Sequence, residues 1–203
     1  MLDPFPPGTD YFAALGLPRK LEIDRQDLER RYHDLSRRFH PDFFQTAAPR
    51  DRVVSLENSA LINKAYRTLR DPLARAEYLV RLEAGQGAEL KAEAPQALFE
   101  EILELNERLS DYNRADPHER SALCPQLEQQ AQAFRSEYEA LQRRLTEELF
   151  PRWDHGSDRG GLPEVDRATL LAEMSRIISN RAYLRRVLGN LDEALTADIQ
   201  NGA

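Results

Sequence analysis

The chain has 203 residues and a formal net charge of −7 at pH 7, and the acidic excess is concentrated in its second part. Residues 1–83 carry 14 basic and 13 acidic side chains, whereas the remainder carries 14 basic and 22 acidic ones. Phosphate neutralisation needs clustered cations, and a bilayer span needs about 20 consecutive apolar residues, so the sequence predicts neither a nucleic-acid-binding nor a membrane protein.

The first predicted helix is short and runs from Asp10 to about Leu17. Asp10 is a typical N-cap residue, and Gly16 is typical of the position that ends a helix. The residues between them are mostly apolar, so we expect this helix to lie across the two longer helices that follow.

A longer amphipathic helix is predicted from Asp24 to Phe39. Pro41 disfavours helical dihedral angles in the residue before it and cannot donate a backbone hydrogen bond, so this helix should end at Phe39 or His40. At about 100° per residue its apolar side chains fall on one stripe, namely Leu28, Tyr32, Leu35 and Phe39. His40 and Asp42 are therefore expected at an exposed corner.

A second long helix is predicted to begin near Asp51, with an apolar face of matching period. Two such helices joined by a loop form an antiparallel hairpin. The apolar face consists of Val54, Leu61, Ile62, Ala65 and Leu69.

The middle of the chain contains a predicted domain boundary. Ala84-Gly85-Gln86-Gly87 follows the last of these helices, and Pro95 marks the start of the next one. We therefore predict an all-α protein with a first domain at residues 1–83, a linker at 84–95 and a second helical domain at 96–203.

The second domain is predicted to be a three-helix bundle. Its first helix runs from Pro95 to about Asn113, its second ends at Phe150-Pro151, and a loop around Trp153 leads to the third. Apolar spacing near 3.5 residues on the last two helices is typical of shallow-angle packing.

Some apolar residues of the second domain fall outside these stripes. Phe99 and Leu103 lie on one flank of their helix, and Tyr183 and Val187 point away from the seam of theirs. They could form an exposed apolar patch that binds a partner. The alternative is that they pack against another part of the chain.

Metal binding is not indicated. Cys124 is the only cysteine, and one thiol cannot form an internal disulfide or supply the usual set of cluster-binding thiolates. His118 and His155 fall in predicted loops without ligand-like neighbours. We therefore predict no metal and no cofactor.

We predict a cytoplasmic location, because the N-terminus lacks the basic start of a targeting peptide.

Residues 10 to about 83 resemble a J-domain. The resemblance is carried by Tyr11-Phe12, Leu15-Gly16-Leu17, Tyr32, Leu35, His40-Pro41-Asp42 and the segment from Ile62 to Leu69. The continuation from Arg70 to Leu79 is similar to one branch, the HscB co-chaperones of iron–sulfur cluster assembly, and the chain length and helical tail also fit that branch.

The resemblance implies two partners and no catalytic residue. A J-domain binds an ATPase chaperone of the DnaK/HscA type through the motif His40, Pro41 and Asp42. The arginines of the preceding helix would steer the approach to that chaperone, although a solvated helix face is the alternative for them; they are Arg30, Arg31, Arg37 and Arg38.

In the resembled family the C-terminal domain binds the IscU-type scaffold protein, which implies the scaffold-binding residues Phe99, Leu103, Glu104 and Tyr183. An enzyme that uses His40 and Asp42 as an acid–base pair is disfavoured, because an exposed loop offers no burying pocket. A general J-protein that holds unfolded clients remains the alternative.

Overall fold

The computed structural model describes residues 2–85, 96–158 and 163–201, and within these ranges the chain forms helices and no strand, which confirms the predicted all-α class. The helices, in chain order, are α1 (Tyr11–Ala14), α2 (Arg25–Arg38), a 3-10 turn (Pro41–Phe44), α3 (Pro49–Arg70), α4 (Pro72–Ala84), α5 (Gln96–Arg114), α6 (Pro117–Arg143), a π-helical stretch (Arg144–Leu149), α7 (Phe150–Asp158) and α8 (Glu164–Asn201).

The capping residues predicted for the first two helices are confirmed. The Asp10 side chain accepts a hydrogen bond from the Ala13 amide at 2.8 Å, and the Asp24 side chain accepts one from the Gln26 amide at 2.9 Å. Each bond satisfies a backbone donor that has no partner inside the helix. Gly16, just after α1, has a φ of +65°, a conformation in which glycine is favoured.

The predicted antiparallel hairpin of α2 and α3 is also confirmed. Near the middle of the hairpin, the Tyr32 hydroxyl donates to Asn63 Oδ1 at 2.9 Å. At its closed end, the Ser55 hydroxyl donates to the Phe39 carbonyl at 2.9 Å. Later residues of α2 thus meet earlier residues of α3, as antiparallel helices require. Fully buried side chains fill this part of the protein, among them Phe12, Leu28, Ile62, Leu69 and Leu79.

The chain forms two compact units. The first contains Met1–Ala88 and Leu149–Leu171, and the second contains Glu89–Glu148 and Ala172–Ala203. The predicted domain ranges 1–83 and 96–203 stay a prediction, and the units differ from them in grouping residues 149–171 with the N-terminal part. The predicted linker lies largely outside the described residues.

The loop expected around Trp153 is wrong, because helix α7 occupies Phe150–Asp158. Helical structure also runs without a break from Pro117 through the π-helical stretch into α7, so the predicted end of the second helix at Phe150-Pro151 is wrong as well. Pro151 lies inside this run and cannot donate a backbone hydrogen bond, and the residues just before it have the π-helical pattern. Trp153 and Asp154 are both buried, with 4% of each exposed. The helix therefore forms because its side chains are covered by the first unit.

The second unit has a core built from α5, α6 and α8, as the predicted bundle requires. Asp116 caps α6 with a capping box formed with Glu119. The core contains Ile102, Leu105, Tyr112, Leu127, Ala131, Phe134, Leu184, Val187, Leu188 and Leu191. Every helix in the described ranges is too short or too polar to traverse a lipid bilayer.

Candidate functional site

The turn at residues 40–44, which we call the His40 turn, connects α2 to α3. Its backbone leaves the helical region at His40, where φ is −62° and ψ is 125°, and it re-enters a 3-10 helix at Pro41. The His40 side chain caps this short helix, since its Nδ1 atom accepts a hydrogen bond from the Asp42 amide at 3.3 Å. The proline thus ends α2 and starts the turn, as its fixed φ favours.

The polar groups of the His40 turn face solvent. The side chains of His40 and Asp42 are 51% and 70% exposed, and 3.6 Å separates His40 Nδ1 from Asp42 Oδ2. A neutral imidazole that accepts through Nδ1 carries its proton on Nε2, so His40 can donate from its other nitrogen. The turn therefore offers a partner one donor and one carboxylate acceptor, side by side.

The His40 turn is anchored on its inner side. The Phe39 ring, which precedes it, is 5% exposed and lies 5.7 Å from the Phe5 ring between centroids. The Phe39 carbonyl, which a helix end leaves without an intrahelical partner, accepts the bond from Ser55. These contacts hold Phe39 in place, so the exposed part of the turn begins at His40.

The four arginines of α2 have different surroundings. Arg30 pairs with Asp27, and Arg31 both pairs with Asp27 at 2.7 Å and donates to the Gly16 carbonyl at 2.6 Å. Arg37 is exposed in the last turn of α2. Arg38 is also exposed, and its guanidinium carbon lies 5.2 Å from the centre of the Phe39 ring. Two of the four are therefore already engaged by the first unit, and two lie beside the His40 turn.

Asp154 of α7 supports the segment that leads into α2, and no sequence pattern indicated this role. Its carboxylate accepts hydrogen bonds from the Leu21 amide at 2.8 Å and the Glu22 amide at 2.7 Å. Burial raises the pKa of Asp154, and the two backbone hydrogen bonds oppose that rise. Arg75, also buried, has its pKa lowered chiefly by burial, while the charges of Asp154 and Asp71 oppose the change.

A cluster of charges also joins distant parts of the first unit. Asp10 accepts two hydrogen bonds from Arg19, at 2.9 and 2.6 Å. Arg19 lies 3.5 Å from Glu83, whose side chain is only 5% exposed, and Arg167 of α8 also pairs with Glu83. The guanidinium of Arg167 in turn lies 5.6 Å from the centre of the Trp153 ring.

The residues predicted to bind the scaffold lie on α5 and α8 of the second unit. Leu103 is 52% exposed, and Glu104 is exposed and lies 3.5 Å from Arg108. Tyr183 is partly buried against the core, with the Arg186 guanidinium 4.8 Å from its ring centre. Phe99 belongs to α5, but its side chain lies outside the described residues.

The exposed position expected for Val187 is wrong, because Val187 is 7% exposed and belongs to the core. Helix α8 packs against two other helices, so its buried face is wider than the single seam that the spacing predicted. Of the predicted apolar patch, Leu103 is the member that the structure shows to be exposed.

His118 and His155 lie in α6 and α7 rather than in the loops predicted for them, and that prediction is wrong. Among the described side chains, no three His, Cys, Asp or Glu residues come together as a metal site would need.

Comparisons with known proteins identify the first part of the chain and extend to most of its length. The family model described as the DnaJ domain matches residues 10–78. Two proteins from Vibrio cholerae serotype O1 strains, each named co-chaperone protein HscB homolog, are 39% identical to this chain over 145 residues, which is 69% of this chain and 77% of each relative.

Two solved structures are similar in fold. The crystal structure of human co-chaperone protein HscB matches with a TM-score of 0.62 and 25% identity, over 97% of this chain and 85% of the human one. Chaperone HscB from Vibrio cholerae matches with a TM-score of 0.54 and 29% identity, over 90% of this chain and 99% of that one.

Proposed function

Since this chain belongs to the HscB family of J-domain co-chaperones, we propose that it stimulates the ATPase of a DnaK/HscA-type chaperone and delivers an IscU-type iron–sulfur scaffold protein to it. In this proposal residues 1–83 act on the chaperone, residues 96–203 bind the scaffold and residues 84–95 link them. The chain itself carries out no covalent chemistry. A cytoplasmic location stays a prediction.

The exposed His40 turn is the observation that carries this proposal. Asp42 presents a 70% exposed carboxylate, which suits a bidentate pair with an arginine of the chaperone. His40 adds a donor from Nε2, and Pro41 restricts the free turn so that less conformational entropy is lost on docking.

Stimulation follows if these contacts form more strongly with one state of the chaperone than with another. A ligand shifts a conformational equilibrium only by its difference in affinity for the two states. The turn would therefore bind the ATP-bound chaperone best in the conformation that hydrolyses the nucleotide.

The arginines of α2 would contribute unequally to the approach. Arg37 and Arg38 are exposed next to the His40 turn, so their charges are available to steer association with an acidic surface. Arg30 and Arg31 share Asp27 and add less net charge. Since exposed charges are screened by salt, association should slow at high ionic strength.

Scaffold binding is proposed for the surface around Leu103 and Glu104, with Phe99 and Tyr183 completing it. Leu103 supplies an exposed apolar side chain next to a carboxylate, a combination that suits an interface with an apolar centre and a polar rim. Tyr183 would present its exposed edge while the rest of its ring stays packed on the core.

The test uses two sets of variants with opposite expected effects. His40→Gln should abolish stimulation in a single-turnover ATPase assay while scaffold binding and helicity are kept, because the side chain is exposed. Replacing Phe99, Leu103 and Tyr183 with alanine should weaken scaffold binding and leave ATPase stimulation unchanged. Truncating a residue that carries much of the binding energy of an interface typically costs about 2 kcal/mol or more.

Full stimulation by the His40→Gln variant would refute the assignment of the turn, and unchanged scaffold affinity in the triple variant would refute the assignment of the second surface. Capture of native scaffold protein without capture of a permanently unfolded polypeptide would separate this function from that of a general J-protein.

A further inference from the structure

Large hydrophobic side chains are exposed at five places in the described part of the chain, and three of these lie in the His40 turn or in the first two turns of α3, which follows it. Phe43 is 70% exposed, Val53 is 53% exposed and Leu56 is 57% exposed. Single exposed apolar residues are ordinary on protein surfaces, but a concentration of them next to a binding element marks an interaction surface.

Phe43 lies directly against the motif. Its ring meets the His40 ring edge-on, with 5.8 Å between centroids. The two side chains therefore present one continuous surface to a partner, apolar on one side and polar on the other.

Val53 and Leu56 lie at the same level of the hairpin as the start of the turn. The bond between Ser55 and the Phe39 carbonyl sets that level, and the turn itself packs against α3. At a rise of 1.5 Å per residue, Val53 and Leu56 are displaced from Ser55 by only about 3 and about 1.5 Å along the helix axis.

Leu56 is on the flank of α3 that faces α2. It precedes Asn63 by two helical turns, and Asn63 is bonded to Tyr32 of α2. The register of the hairpin places Leu56 opposite the exposed last residue of α2, Arg38, and Leu56 stays 57% exposed there. Val53 is its neighbour one turn earlier.

We propose that Phe43, Val53 and Leu56 form an apolar docking surface for the same ATPase chaperone that the His40 turn engages, and that an apolar element of this chaperone covers them. This inference rests on the proposed function, and its occupant follows from the continuity of the surface with the His40 turn. Apolar contacts are not screened by salt, so this surface supplies a component of affinity that persists at high ionic strength.

The test measures the concentration of this protein that gives half-maximal stimulation of an HscA-type chaperone in a single-turnover ATPase assay. The double variant Val53→Gln with Leu56→Gln keeps good helix formers in α3 and should raise that concentration about tenfold, as losing about 1.4 kcal/mol of binding requires. The increase should be the same at low and high salt.

Val165→Gln is the matched control, because Val165 is 76% exposed on α8 and is not part of the proposed surface. It should shift the half-maximal concentration by less than about twofold. Phe43→Ser, made in the turn rather than in a helix, should weaken stimulation in the same direction as the double variant.

His40→Gln, measured alongside, separates failure of this inference from failure of the proposed function. If His40→Gln abolishes stimulation while the double variant matches Val165→Gln, the apolar surface is not a docking site. If His40→Gln stimulates normally, the proposed function itself is overturned. Self-association of the unmodified protein that the double variant loses would assign the surface to a second copy of this chain and overturn the inference.

Discussion

Replacing Asp154 with alanine should loosen the segment that leads into α2. The substitution removes both acceptors for the Leu21 and Glu22 amides. Leu21 is fully buried, so its amide would lose its partner without gaining water, whereas Glu22 is exposed and its amide can be hydrated. A buried donor without a partner costs about 1–3 kcal/mol, so we expect a loss of about 2 kcal/mol in the stability of the first unit.

Amide hydrogen exchange of Leu21 is the sharpest assay for this loss, because it reports local opening of this segment. A loss of about 2 kcal/mol corresponds to roughly 30-fold faster exchange, given that 1.4 kcal/mol is a factor of ten. Glu193→Ala, an exposed carboxylate of the second unit, is the control and should leave the Leu21 amide unchanged. Unchanged protection in the Asp154→Ala variant would refute the assigned role of this carboxylate.

The pH dependence gives a second check on Asp154. Burial raises its pKa in the folded protein, so the folded state binds a proton more tightly than the unfolded state does. The stabilisation that protonated Asp154 gives the folded state is fully present below the pKa of an aspartate in the unfolded chain, about 3.9. It is lost as the pH rises through the pKa of Asp154 in the folded protein. The free energy of unfolding of the native protein, measured relative to that of Asp154→Asn, should therefore fall as the pH rises from the unfolded-state pKa to the folded-state pKa of Asp154.

Three further predictions concern the first unit. Ser55→Ala should destabilise it by about 1 kcal/mol and weaken ATPase stimulation, because the Phe39 carbonyl loses its hydrogen-bond donor. Urea unfolding measures the first effect and the ATPase assay the second, and unchanged stimulation would contradict the anchoring role of this bond. Gly16→Ala should lower stability by about 1 kcal/mol in thermal unfolding, since φ is +65° and the added Cβ would lie 3.0 Å from a terminal nitrogen of Arg31. Burial raises the pKa of Tyr78, so the stabilisation that its protonated hydroxyl gives the folded state is lost as the pH rises through the pKa in the folded protein. An ultraviolet titration should show one tyrosine that ionises above the ordinary pKa of about 10, and this tyrosine should be missing from the titration of the Tyr78→Phe variant.

Local signals in the sequence were sufficient for much of the first unit. The cap at Asp24, the apolar stripe of α2 and the proline of the His40 turn all act within a few residues, and the structure reproduces the helix end and the exposed turn. Periodicity likewise predicted the three packed helices of the second unit, because apolar spacing reports which face of each helix is buried.

The features that the sequence did not predict depend on contacts between distant residues. Pro151 suggested a break, but α7 forms because Trp153 and Asp154 find partners and cover in the first unit. Val187 was expected to be exposed because a single seam was assumed for α8. Arg31 was predicted to lie on the polar surface of α2, but the hydrogen bond that it donates to the Gly16 carbonyl, 15 residues earlier, was not predicted.

The pairing of Glu83 with both Arg19 and Arg167 bears on how the protein can be dissected. A fragment cut after residue 83 would keep Arg19 but lose Arg167, so a carboxylate with 5% exposure would lose one of its two counter-charges. The same cut would remove Asp154 from the amides of Leu21 and Glu22. An excised N-terminal fragment is therefore a weakened version of the module that operates in the intact chain, and work on truncated proteins should retain residues 149–171.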